Sequence, residues 1–133
     1  MTFKDFLKKI FYLISDFSPF LYKPEYKIFN HKFEIHKTDR DIWPSYPHIH
    51  LLDDDIKLDI YTGDLYRIQT KRIINEASYK DMEKLWNDKK ILEIVMEARK
   101  NKPINVGRLQ DIPFKWINDE NKEWIKIYES NNK

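Results

Sequence analysis

No cysteine occurs in the 133 residues of this chain, and that one absence removes disulfide frameworks, thiolate nucleophiles and every cysteine-ligated zinc or iron–sulfur centre. Glycine is nearly as scarce. The two present, Gly63 and Gly107, cannot build the glycine-rich turns that cradle dinucleotides or nucleoside triphosphates, and neither GxGxxG nor GxxxxGK[ST] spacing occurs. A dominant sign of charge is missing too: 24 Lys and Arg against 22 Asp and Glu leave a net +2, too even for nucleic-acid binding through overall charge. The N-terminal apolar run at residues 10–14 is too short for a signal-peptide core or a membrane span, and no small-residue cleavage site follows it. These absences together point to a cytoplasmic protein without a transmembrane segment, requiring no cofactor.

What the chain has is charge and aromatic bulk. Charged residues make up 35% and aromatics 15%, enough to solvate a surface and fill a core with Phe, Tyr and Trp. The length fits one domain spanning residues 1–133. Thr2 caps an expected amphipathic helix in which Phe3, Phe6, Leu7, Ile10, Phe11, Ile14 and Phe17 recur at helical spacing; Pro19 and Pro24 end it and leave an extended linker. Residues 26–37 alternate, with Phe29, His31, Phe33 and Ile35 on one side, and predict a half-buried strand that carries His31 as a core histidine. Residues 48–52 and 56–60 read as further strands. Thr62, Gly63 and Asp64 supply a turn, so residues 56–70 predict an antiparallel hairpin with Gly63 at positive φ. Ser78 with Asp81 starts a helix that Asn87 and Asp88 interrupt before it runs on to about residue 99, and Asn118 or Asp119 caps a last helix. The expected fold is α+β: a single domain with a three- to four-stranded antiparallel sheet packed with N-terminal and C-terminal helices.

The chemistry concentrates in residues 43–61, WPSYPHIHLLDDDIKLDIY. His48 and His50 flank Ile49, so a strand places both imidazoles on one face, with Asp53, Asp54 and Asp55 the expected carboxylates nearby. Three uses compete. As metal ligands the pair would need an oxygen from the aspartates or a nitrogen from His36; HxH alone is weak grounds, and no metal is assigned. As an acid/base pair, His48 and His50 would cleave RNA without a metal, with Arg67 stabilising the developing charge. As part of a binding surface, Trp43, Tyr46, Asp53, Asp54, Asp55, Tyr61, Tyr66 and Lys71 would meet a protein partner, or RNA through the tyrosines and cations.

The HxH spacing resembles the first metal motif of cupins, with Asp54 or Asp55 in place of that family's Glu, but the flanking glycines and a second histidine motif are missing. Residues 47–50, Pro-His-Ile-His, resemble the Pro-His-x-His motif of small bacterial proteins of unknown function found in toxin–antitoxin gene pairs. That resemblance implies a prokaryotic or phage accessory protein. The expectation is therefore a macromolecule-binding module of antitoxin, immunity or defence type, the alternative a small ribonuclease-like toxin using His48 and His50.

Overall fold

The computed structural model describes residues 2, 21–37, 39 and 41–132. The expected first helix lies outside the described residues. Among the described residues six strands follow one another as an antiparallel meander: β1 (Leu21–Tyr22), β2 (Phe33–His36), β3 (His48–Leu51), β4 (Ile56–Asp59), β5 (Asp64–Arg67) and β6 (Ile73–Glu76). Then come α1 (Tyr79–Trp86), α2 (Lys89–Lys100), a 3-10 turn (Phe114–Trp116) and α3 (Asp119–Asn131). The α+β class holds, and the sheet is larger than the three or four strands expected. Among the described residues no helix is long and apolar enough to cross a membrane.

Alternation divides the sheet into two chemically different faces. Phe33, Leu51 and Ile56 are paired across β2, β3 and β4, as are Ile35, Ile49, Leu58 and Leu65 from β2 to β5; all are buried. They pack with Met82, Leu85 and Trp86 of α1, the apolar stripe Ile91, Leu92 and Val95 of α2, and Ile125 of α3 in one core cluster. Trp86 satisfies its indole N–H on the Ile60 carbonyl at 2.8 Å, so its bulk enters the core without an unpaired donor. The opposite face carries Glu34, His50, Lys57 and Tyr66 in one register row, with His48 and Asp59 in another. That polar face is the one the candidate site uses.

Two local rules shape the rest. The strand expected over residues 26–37 is broken at Phe29 and Asn30, whose φ values of 51° and 58° make a two-residue turn closed by reciprocal Ile28–His31 backbone hydrogen bonds of 3.0 and 2.9 Å. The alternation resets there. Ile28 takes the core position, while His31 is only half-buried, its ring stacked on Phe29 and its Nε2 3.7 Å from Asp54. At the helices Ser78 accepts from the Asp81 N–H as read, and Asn118 rather than Asp119 caps α3; the interruption at Asn87 and Asp88 is a full break, with Asp88 capping a separate helix, α2.

The hairpin over β4 and β5 forms with Gly63 at φ 84°. A Cβ on Gly63 would meet its nearest neighbours, Met82 Cγ and Trp116 Cη2, at 3.6 and 3.7 Å, ordinary van der Waals contacts, so the backbone angle and not space demands glycine. Gly63→Ala is expected to cost about 1–2 kcal/mol in denaturant unfolding, and Gly63→Asn less, because Asn tolerates the left-handed region. Equal losses for both would place the cost in packing.

Asp88 also ties the start of the sheet to α2. Its Oδ1 accepts from the N–H groups of Lys90 and Ile91, and its Oδ2 accepts from the hydroxyls of Tyr22 at 2.9 Å and Tyr26 at 2.6 Å. Burial, then the hydrogen bond to Asp88, then its charge push Tyr22 up to about 12 and raise Tyr26 as well. A tyrosine whose pKa is higher folded than unfolded contributes stability that is complete below about 10 and is lost as pH climbs through the folded value. Thermal or urea unfolding at pH 9 and pH 11.5 should show a drop in wild type that shrinks in the Tyr22→Phe, Tyr26→Phe double variant. An equal drop in both would remove Asp88 from the alkaline transition.

Candidate metal centre

Residues 43–47 carry two cis peptide bonds, Trp43-Pro44 and Tyr46-Pro47. The chain between β2 and β3 brings polar side chains onto the polar face of the sheet. His48, at the start of β3, is buried to 1% exposure. Its Nδ1 lies 3.0 Å from the Ser45 carbonyl oxygen; since a carbonyl only accepts, this nitrogen carries a proton, and in the neutral ring Nε2 presents its lone pair to the opposite side. There it meets His50 Nε2 at 3.1 Å and Asp39 Oδ2 at 3.3 Å. His50 Nε2 and Asp39 Oδ2 are 2.9 Å apart. Asp39 is itself oriented, its other oxygen accepting the Asp41 N–H at 3.0 Å.

Two imidazole nitrogens and a carboxylate oxygen therefore form a nearly equilateral triangle, and Asp39, His48 and His50 are the group of described residues able to close on one ion. Asp39 is partly buried, which works against its charge, but when the two rings are in their charged form their hydrogen bonds, the Asp41 N–H and the charge of His48 outweigh burial and hold its carboxyl well below the usual range. His36 stands beside the group with its ring 5.2 Å from that of His50, its Nε2 engaged by Glu34 at 3.2 Å.

A second ionic contact lies alongside. Lys57 on β4 is 5% exposed and donates to Asp41 Oδ2 and, at 3.5 Å, to the Trp43 carbonyl. Burial opposes the Asp41 charge, but the Lys57 hydrogen bond, the Trp43 N–H and the Lys57 charge together lower its pKa. Asp59, in register with His48, turns elsewhere: it accepts from Tyr61 N, Thr62 N and Gln110. Its burial pushes its pKa up in spite of these bonds.

The structure gathers some of the expected site residues and separates others. His48 and His50 do share a face and do meet a carboxylate, but that carboxylate is Asp39. Asp53, Asp54 and Asp55 are exposed in the β3–β4 turn, where Asp54 faces His31 and Arg67. Arg67 shares its register row with Ile56, on the other face of the sheet from His50, so it is not placed to stabilise charge at the pair. Tyr46 and Tyr61 are each 6% exposed; the Tyr61 hydroxyl donates to the Tyr46 carbonyl and accepts from Arg99, which makes both packing residues and leaves no ring face for a base. Trp43 and Tyr66 are half-buried and meet edge to face with centroids 5.3 Å apart, and Lys71 Nζ lies 5.3 Å from the Trp43 ring centre.

Asp39, Asp41, Ser45 and Lys57 are the residues that sequence reasoning missed. One signal existed for Lys57: it alternates with Ile56 and Leu58, so antiparallel pairing of residues 48–51 with 56–59 returns it to the histidine face. Asp39 had none, lying nine residues from His48 in a segment without periodicity. No family model matches the chain, and neither the curated proteins nor the solved structures provide a match.

Proposed function

We propose that this protein binds a divalent transition-metal ion of the zinc class through Asp39, His48 and His50. The observation that carries the reading is the size of the donor triangle, with edges of 2.9, 3.1 and 3.3 Å. Donors at about 2.0–2.1 Å from one ion stand roughly 3.3 Å apart in a tetrahedral shell and about 2.9 Å apart on an octahedral face. With both rings neutral, protons serve this triangle poorly: His48 Nδ1 is committed to Ser45, so one proton on His50 Nε2 can satisfy one edge, whereas an ion satisfies all three lone pairs. The outer contacts agree, since Ser45 orients His48 and the Asp41 N–H orients Asp39. Three protein ligands leave coordination room for water, the ligand count of catalytic zinc sites rather than structural ones. A His48 side chain at 0% exposure is better suited to hold an ion than to exchange protons directly with a substrate.

A macromolecular partner is the second reading, and one observation favours it. Trp43, supported by Tyr66 and close to Lys57 and Lys71, is a half-exposed member of the expected binding surface and joins an aromatic face to positive charge, features that suit protein anchors and nucleic acids alike.

Titrating the purified, chelator-treated protein with Zn(II) by calorimetry, and with Co(II) by visible absorption, tests the metal reading. A single equivalent is expected to bind and to raise the thermal midpoint. Asp39→Ala and His50→Ala should each weaken binding by at least about 100-fold, while His31→Ala, in the turn before β2, leaves it unchanged. Absence of saturable binding by folded wild type, or binding indifferent to Asp39 and His50, would sink the proposal.

A further inference from the structure

Lys57 is the one lysine or arginine among the described residues that is buried. It rises from β4 directly opposite His50 of β3, so the ammonium stem and the imidazole stem leave the same face with Cβ atoms about 4.5–5.5 Å apart. A buried ammonium needs a counter-charge, and the one it has is unequal to it in character. The lysine side chain is 7% exposed and held by a central strand, whereas the Asp41 side chain is 48% exposed and sits in the connection between β2 and β3, two residues beyond Asp39. Solvent reaches the carboxylate and not the cation. The pair leaves its acidic half at the surface, where an external anion can take its place.

We propose that Lys57 and the metal at Asp39, His48 and His50 form one site for an oxyanion of the substrate, phosphoryl or carboxylate, and that Asp41 fills the Lys57 half until that anion arrives. The inference rests on the metal reading for its other half. An ion on His50 and the Lys57 ammonium would be neighbouring positive centres, which repel unless an anion lies between them. Asp41, as a tethered carboxylate, competes at high effective concentration. Its departure need not unseat Asp39, because Asp39 is held through the backbone N–H of residue 41 and not through its side chain.

Inorganic phosphate and acetate are titrated in parallel into the zinc-loaded full chain and its variants, followed by calorimetry and by backbone amide NMR shifts. In Asp41→Asn the tethered competitor is gone, and the preferred anion should bind at least about tenfold tighter than to wild type. In Lys57→Met it should bind at least about tenfold weaker, with zinc affinity retained, while Lys126→Met, at an exposed position on α3, matches wild type. Preference for phosphate or for acetate names the group; binding of neither to Asp41→Asn overturns the proposal, as does anion affinity within about twofold across Asp41→Asn, Lys57→Met and wild type. If Lys57→Met fails to fold, Asp41→Asn decides alone. If wild type takes up no zinc, the metal reading falls and the same titration of the metal-free chain decides the Lys57 half: anion binding that Asp41→Asn strengthens keeps it, and no such change removes it.

Discussion

A charge taken out of water must be met by another charge or by oriented hydrogen bonds, and the architecture around β3 and β4 follows from that constraint. The sheet has two faces because its strands alternate, and the apolar one is covered by helices in the usual way. The other is also substantially buried, although it carries His48, Lys57 and Asp59. Each of these is met: His48 by Ser45 and Asp39, Lys57 by Asp41, Asp59 by two backbone N–H groups and Gln110. The segment between β2 and β3 supplies three of those partners within seven residues, Asp39, Asp41 and Ser45, and so behaves as a polar counterpart to the helices on the far side.

The polar face is also over-provided for structural purposes. A buried imidazole needs one partner to settle its tautomer, and the Ser45 carbonyl does that for His48. The additional convergence of His50 and Asp39 on its remaining nitrogen adds no packing and brings three lone pairs together, an arrangement that is costly without a cation or a proton between them. Natural folds satisfy their local rules and depart from them at functional places, and the departure here coincides with donor spacings suited to a first-row metal ion.

How far the sequence disclosed this depended on the range of each interaction. Helix caps are read within three residues, and Ser78 and Asn118 act as caps where the sequence placed them, whereas Asp88, expected only to interrupt one helix, caps a separate one. The hairpin was legible because alternation and Gly63 agree. The turn at Phe29 and Asn30 was not, because a phenylalanine at positive φ is disfavoured locally and is held by tertiary contacts, including its N–H bonded to Asp81 Oδ2 at 2.9 Å from α1. β6 was missed for a different reason: all four of its residues are exposed, so no burial imprinted a period on them. In the candidate centre, the same-face geometry of His48 and His50 is a strand property and could be read, whereas their carboxylate could not. Three aspartates close in sequence drew the assignment, yet a tight turn carries them to one end of the hairpin and Asp39 arrives by a connection with no periodic signature.

The same comparison explains why binding and chemistry must be separated residue by residue here. Aromatic residues attracted a recognition role by type, but type does not set exposure: the Tyr46 carbonyl and the Tyr61 hydroxyl bond to each other in the interior, and losing either ring would be felt as lost packing. Trp43 is half-exposed beside the same connection that delivers Asp39 and Asp41, with its own N–H on Asp41 Oδ1 and its carbonyl near Lys57. Asp41 thus touches both Lys57 and the backbone of Trp43, whose ring lies near Lys57 and Lys71. The aromatic surface and the ionic centre are therefore built on the same short stretch of chain, residues 39–43.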